Sequence, residues 1–321
     1  MPKAPLSLVA DIGGTNTRVA LADGKHLRAD SIRRFRNAEF AGLETILRHY
    51  LNEAGVDDCD GACVAAAGPV RGGVALMTNL DWTIDGEALA RATRAETVAI
   101  LNDLQAQGHA LGHIAAENLA GVIAAPNAAP DAAKLVIGVG TGFNAAPVHD
   151  TPWGRVVAAS ECGHVNMPIR SDADLRLAHF VETVHGFPGV EEVLSGRGLE
   201  RLFAFVTSEA GCPAQSTAAD IMTAFARNDA MAVETARLFV RLLGAEVGNL
   251  ALIHLPFGGL YLCGGVARAF APYLGPLGFE AAFRDKGRFA DFMHSFAVSV
   301  IEDDYAALTG CAVYLAQGGK G

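Results

Sequence analysis

Three apolar runs in this chain each end at a cluster of glycines, and that repeated junction constrains the fold more than any other feature. Leu6–Ile12 leads into Gly13-Gly14-Thr15-Asn16, Lys134–Val139 into Gly140-Thr141-Gly142, and Phe257–Cys263 into Gly264-Gly265. Short apolar runs bounded by glycine read as buried strands. Adjacent glycines let backbone N–H groups converge without Cβ atoms in the way, which makes an anion-binding concavity. After the first junction, Arg18-Val19-Ala20-Leu21-Ala22 alternates like a strand, so Gly13 and Gly14 sit in a turn between two strands. Thr15 and Asn16 add side-chain donors, and Asp11 adds a charge able to hold a metal ion or its waters. The stretch suits a phosphate-binding hairpin; an ordinary tight turn would use the same residues.

The second junction brushes against a dinucleotide fingerprint, but Phe143 stands where the third glycine belongs, and the residues up to Pro147 and Pro152 are not a helix. A Rossmann site needs strand, glycine turn and helix together, so that reading is rejected. No G-x-x-x-x-G-K-[ST] occurs either. The third junction does lead into a helix, and a base or ribose could lie against Gly264-Gly265, with a plain turn as the alternative.

A formal net charge of −10 with no Lys/Arg block argues against nucleic-acid and anionic-membrane partners. It leaves room for a phosphate held by backbone N–H groups. At 321 residues the chain can form two domains with full cores. The 6 cysteines form no C-x-x-C pair and sit mostly in apolar segments, which suits reduced, buried thiols. No signal peptide opens the chain, and Ala236–Leu255 is interrupted by Arg237, Arg241, Glu246 and Asn249, so it reads as a buried or amphipathic helix. A soluble, cytoplasmic protein is expected.

Between the junctions, a third strand is expected near His26–Phe35. Asn37 is expected to cap a helix with Phe40, Leu43, Leu47, Tyr50 and Leu51 on one face, stopped by Gly55. Gly61–Ala67 reads as a buried strand. Thr78-Asn79-Leu80-Asp81-Trp82 is polar and aromatic, fit for a ligand cleft or for a solvated loop pinned by one Trp. Thr97–Leu101 is a strand ending at Asn102-Asp103 where a helix begins. Polar side chains there stand at the carboxyl edge of a sheet, where open α/β sheets bind ligands, although either residue could serve only as an N-cap. Glu161 and His164, three apart around Gly163, suit recognition of hydroxyls, whereas zinc is disfavoured because no second cysteine pair stands at the right spacing. Glu191 falls at an expected helix end before Gly196, and Gly244 and Gly248 permit close helix packing. Asp303–Gln317 reads as a final helix.

Eight motifs then occur in order: DIGGTNTR (Asp11–Arg18), MTNLDW (Met77–Trp82), LND (Leu101–Asp103), GTGF (Gly140–Phe143), ECGHV (Glu161–Val165), EEVLSGRGL (Glu191–Leu199), LCGG (Leu262–Gly265) and DKGRF (Asp285–Phe289). Together they resemble the bacterial ATP-dependent glucokinase family, within the sugar kinase, Hsp70 and actin superfamily. The resemblance implies an α/β protein of two domains with the actin/hexokinase-like (ribonuclease H-like) fold and the active site in the cleft between them. Residues 1–113 plus 303–321 would form the smaller domain and 114–302 the larger. It implies ATP and Mg2+ as cofactors, transfer of the γ-phosphoryl group to glucose, and a homodimer. Asp11, Gly13, Gly14, Thr15 and Asn16 would form the first phosphate loop, with Asp11 near the Mg2+. Gly140, Thr141 and Gly142 would form the second, and Gly264-Gly265 would pack against the adenosine. Asn102, Asp103, Glu161, His164 and Glu191 match the sugar ligands, and Asp103 matches the catalytic base.

The chain departs from the commonest pattern at Phe143-Asn144, where Leu-Gly is frequent, at Cys162, where Glu-Gly-Gly is usual, and at Asn166-Met167 in place of Asp-Phe. Asn tolerates left-handed backbone angles, so Asn144 is expected to let the loop survive. The cysteine-rich zinc signature of the related repressors is absent, as is an N-terminal helix-turn-helix, which argues against a transcriptional regulator. Two alternatives share the fold: a kinase for another hexose or amino sugar, and a non-catalytic sugar-binding protein.

Overall fold

The computed structural model describes residues 5–77 and 80–318, so Thr78 and Asn79 of the polar-aromatic loop lie outside the described residues. The chain divides into two compact units. The first takes the residues up to Ala116, then Val148–Ala159, and the chain from Asp303 onward; the second takes Glu117–Pro147 and Ser160–Glu302.

The first unit is built on strand β1 (Leu6–Ile12), whose side chains alternate between two apolar cores. Leu8, Ala10 and Ile12 enter one core and Val9 the other, so the strand is buried on both faces. β2 (Asn16–Asp23) returns antiparallel to β1, with Asp11 opposite Arg18. β3 (His26–Leu27) and β4 (Arg33–Arg36) both pair with β2, replacing the single expected strand. Helix α1 (Leu43–Ala54) starts at Gly42 rather than at Asn37, and ends at Gly55 with φ +65°. β5 (Gly61–Ala66) lies parallel to β1, and Ala62, Val64 and Ala66 face α1 while Cys63 and Ala65 face the opposite core. A small sheet of β6 (Val70–Arg71), β7 (Val74–Leu76) and β8 (Thr83–Asp85) follows. Asp85 caps α2 (Gly86–Thr93) by accepting from Ala88 N. β9 (Thr97–Asn102) then completes the parallel set β1-β5-β9 and runs directly into α3 (Asp103–Ala110).

In the second unit, β10 (Leu119–Ile123) and β11 (Lys134–Val139) belong to a second mixed sheet. β12 (Phe143–Thr151) follows the second glycine loop and turns into β13 (Gly154–Val157). The hairpin end Val148–Ala159, expected with the larger unit, groups with the first. There Gln105 donates to Val157 O (3.1 Å), and Gly108 leaves room for the Val157 side chain. Helix α4 (Asp172–His185) was not foreseen from the sequence; Ser171 caps it by accepting from Asp174 N. Next come α5 (Gly196–Glu209), α6 (Ala218–Ala226) and the long α7 (Ala230–His254). β14 (Leu260–Cys263) lies parallel to β11 and leads into α8 (Gly265–Phe270). α9 (Phe279–Arg284) crosses α7 where a Cβ on Gly244 would stand 2.5 Å from Phe279 O. That close approach is the packing role the two glycines of α7 suggest. β15 (Val298–Ile301) pairs with β14.

The C-terminal helix α10 (Ala306–Ala316) returns to the first unit, where Leu308, Cys311 and Ala312 fill the core beneath Val9, Cys63 and Ala65. Gly310 lets it lie directly on Ala106 of α3, where any Cβ would collide with the Ala106 carbonyl. Cys59, Cys63, Cys263 and Cys311 are buried, Cys162 is half-buried and Cys212 is exposed. Among the described residues, no helix is long and apolar enough to cross a membrane.

Candidate active site

In the first unit the candidate site residues gather at the carboxyl ends of the parallel strands. Pairing of Asp11 with Ala65 and of Ala66 with Asn102 brings the first glycine turn and the start of α3 to one sheet edge. Gly13 N–H donates to Asn16 O (3.0 Å), which closes the turn. Asp11 Oδ2 lies 3.3 Å from the Arg18 guanidinium directly across the hairpin.

Asn37, expected as a helix cap, is instead the brace of this turn. Only 3% exposed, it donates Nδ2 to Gly13 O (2.8 Å), accepts from Thr17 Oγ1 (2.8 Å) and donates its backbone N–H to Thr15 O (3.0 Å). A sequence signal for this exists only in hindsight, as the one uncharged polar side chain between the charged strand β4 and the apolar face of α1. Periodicity reads such a residue as a cap.

Asn102 does cap α3, accepting from Leu104 N (2.9 Å), while Gln105 Oε1 returns to accept from Asn102 N (3.0 Å). Its role is wider than a cap, because Nδ2 also donates to Gly68 O (3.1 Å) on another loop. Asp103 opens the helix beside it, and its Oδ1 accepts from its neighbour Leu104 N (2.9 Å). Burial pushes the Asp103 carboxyl up to about 6; the Leu104 N–H opposes this, and the negative charge of Asp11 adds to it. A carboxylate with a pKa near 6 is nearly matched to accepting a proton at neutral pH.

In the second unit the parallel register of β11 and β14, with Gly138 opposite Cys263, puts the second and third glycine junctions side by side. A Cβ on Gly140 would lie 3.9 Å from Gly265 N, and one on Gly264 would lie 2.5 Å from Val139 O. Gly264 also holds φ +99°, a conformation that side chains rarely adopt. Gly140 N–H closes its own loop onto Gly142 O (2.9 Å), and Gly140 O accepts from Gly196 N (2.8 Å) at the start of α5.

Glu191 sits in an irregular turn rather than at a helix end, because α4 has already stopped at Gly186. Its Oε2 accepts from Phe143 N (2.9 Å), its Oε1 lies 3.5 Å from Arg197, and its backbone N–H donates to Gly163 O (2.8 Å). Gly142 has no side chain because the Glu191 carboxylate fills that space. One residue therefore ties the second glycine loop to the ECGHV segment. Glu161 and His164 are both exposed, with His164 Nε2 and Glu161 Oε2 4.0 Å apart. Asn144 stands in extended β12 backbone, so the expected left-handed geometry is not used. Its side chain reaches the 160–162 segment instead.

Among the described residues no group of three or more His, Cys, Asp or Glu could hold a metal ion. Asp11 is a single carboxylate, which suits Mg2+ that keeps most of its waters and takes its other ligands from phosphates.

The family model named Glucokinase matches residues 8–318. The chain belongs to the glucokinase family. The glucokinase of Saccharophagus degradans is 34% identical over 315 residues, covering 97% of this chain and 98% of that protein. The crystal structure of a glucokinase from an Antarctic psychrotroph superposes with a TM-score of 0.86 at 29% identity, covering 97% of this chain and 98% of that one. A ROK-family glucokinase from Streptomyces griseus, solved with glucose and AMPPNP, shares the fold at a TM-score of 0.63 and 19% identity, over 98% of this chain and 100% of that one. The glucokinase-family assignment agrees with the order of the eight motifs. The fold is accordingly the two-domain, actin- and hexokinase-like α/β fold expected from the sequence.

Proposed function

We propose that this chain transfers the γ-phosphoryl group of ATP to the 6-hydroxyl of D-glucose, giving ADP and glucose 6-phosphate. The observation that carries this reading is Asp103. It is a half-buried carboxyl at the entrance of α3, with a pKa of about 6, on the same sheet edge as the Asp11 hairpin. Phosphoryl transfer asks a protein for positioning, charge neutralisation and one carboxylate to take the hydroxyl proton. In the proposed step O6 of the sugar forms a bond to Pγ, the bond from Pγ to the β,γ-bridging oxygen breaks, and the O6 proton passes to Asp103. ADP leaves with the bridging oxygen and the electron pair of the broken bond.

The remaining assignments follow the same reading. Gly13–Asn16 and Gly140–Gly142 hold the phosphates, and Gly264-Gly265 lie against the adenosine. Asn102, Asp103, Glu161, His164 and Glu191 recognise hydroxyls, which they can do as acceptors and donors without any lysine. Asp11 would hold Mg2+ through water, and the ion would neutralise phosphate charge when bound. The fold partner from Streptomyces griseus, solved with glucose and AMPPNP, supports a sugar and a nucleotide as the two ligands. The reading extends to a cytoplasmic homodimer acting at the first step of glycolysis.

A panel of hexoses and amino sugars tests the substrate. Glucose is expected to give the highest kcat/KM, since a site of hydroxyl-binding groups rejects an analogue that leaves them unpaired. Glucose among the poorest acceptors would overturn the assignment.

A further inference from the structure

The backbone between Glu161 and His164 is tied at Gly163 to Glu191, but their side chains have little to hold them in place. Both are exposed, they are 4.0 Å apart, and the short helical turn Cys162–His164 receives no side-chain cap from Glu161. A recognition loop of that kind needs to be ordered from elsewhere, because fixing mobile polar side chains on binding opposes affinity.

The Asn144 amide supplies that order. Its Nδ2 donates to Ser160 O and to Glu161 Oε2 (3.2 Å). Its Oδ1 accepts from Ser160 Oγ (3.0 Å) and from Cys162 N (3.1 Å), with Cys162 Sγ 3.5 Å away. The single Ser160 Oγ–H is shared between Asn144 Oδ1 and Ala145 O (2.7 Å), so with Asn144 Nδ2 on Ser160 O the start of the loop is fastened to β12 through two groups. One side chain thus contacts three consecutive residues, and one of its bonds ends on the Glu161 carboxylate itself. The backbone at Asn144 is extended, so nothing in the turn geometry calls for this residue. Two of the positions where the chain departs from the commoner pattern, Asn144 and Cys162, touch each other.

We propose that Asn144 is a positioning residue for sugar recognition that acts through Glu161, whose carboxylate it orients. The inference rests on Glu161 and His164 being sugar ligands, as read above. Asn144 lies in β12 just past the Gly140–Gly142 loop, and its side chain turns to residues 160–162, so its effect is assigned to the sugar and not to the nucleotide.

The test is steady-state kinetics and glucose calorimetry on the full chain and on Asn144→Ala, Asn144→Asp, Glu161→Gln and the double variant Asn144→Ala/Glu161→Gln. Asn144→Ala removes the bond to Glu161 and is expected to raise the glucose KM and Kd about tenfold, the scale of one hydrogen bond to a charged group. The ATP KM is expected to stay within about twofold. Asn144→Asp keeps the acceptor but sets a carboxylate against Glu161, so its glucose KM is expected to rise further than that of the alanine variant. The double variant is expected to bind glucose no worse than Glu161→Gln alone, because Asn144 acts through the carboxylate that is already gone. An unchanged glucose KM in both Asn144 variants, additive losses in the double variant, or parallel changes in both substrates' KM values would overturn the inference. A parent chain that binds no glucose, or a Glu161→Gln variant that binds it normally, would overturn the site reading and this inference with it. A parent with normal glucose binding that depends on Glu161 but not on Asn144 would overturn this inference alone.

Discussion

The Asp103 carboxyl is the proposed base because of three local facts: it begins a helix, it is half-buried, and Asp11 bears on it electrostatically. Its folded pKa of about 6 lies above the usual 3.8. A carboxyl raised in this way opposes folding once it is ionised; that cost is absent below about pH 4 and fully present above about pH 6. Asp103→Asn is therefore expected to melt higher at pH 7.5, by up to about 3 kcal/mol of added stability, with little difference at pH 4; a lower melting temperature at pH 7.5 would contradict it. The same group as base predicts that kcat/KM falls about tenfold per pH unit below about 6, and a profile flat to pH 5 would reassign the base. Asn37 makes a second residue-scale case. Asn37→Ala strips a buried brace from Gly13 and Thr17, so a loss of about 1–3 kcal/mol is expected, with a raised ATP KM and an unchanged glucose KM. Equal changes in both would make it merely structural.

At the scale of elements, strand register sets the second and third glycine junctions side by side. Gly264→Ala combines φ +99° with a Cβ 2.5 Å from Val139 O, and it is expected to destabilise the second unit by at least about 1–3 kcal/mol. A melting curve within a degree of the parent would show that the β11–β14 edge yields. These junctions, the strand β9 and the cap Asn102 were legible in the sequence, since apolar runs, glycines and caps are local signals. Asn37 and Glu191 were misread for the opposite reason: each side chain serves a partner 24 or 48 residues away, and periodicity carries no long-range contact. Asn144 was read through its backbone tolerance, yet what matters is its side chain across 16 to 18 residues. Helix α4 was missed although Ser171 three residues before Asp174 is a start signal.

Over the whole molecule, the first unit draws on three separated stretches of chain, and α10 closes its second core from the far end of the sequence. A chain ending at Glu302 would leave Val9, Cys63 and Ala65 uncovered, so it is expected to lose cooperative melting of the first unit and become sensitive to proteolysis there; an unchanged melting profile would contradict this. The proposed site residues divide the same way. Asp11–Asn16, Asn102 and Asp103 belong to the first unit, and Gly140–Gly142, Glu161, His164, Glu191 and Gly264-Gly265 to the second. Their joint assignment to one phosphoryl transfer is the central claim. The most direct test is a coupled assay of ADP release from ATP and glucose, omitting each substrate in turn and repeating it with Asp103→Asn. The account predicts release only with both substrates present, lowered by ~10²–10⁴ in the variant while calorimetric glucose binding stays within about tenfold. Glucose binding without ADP release, or near-parental turnover by Asp103→Asn, would contradict it.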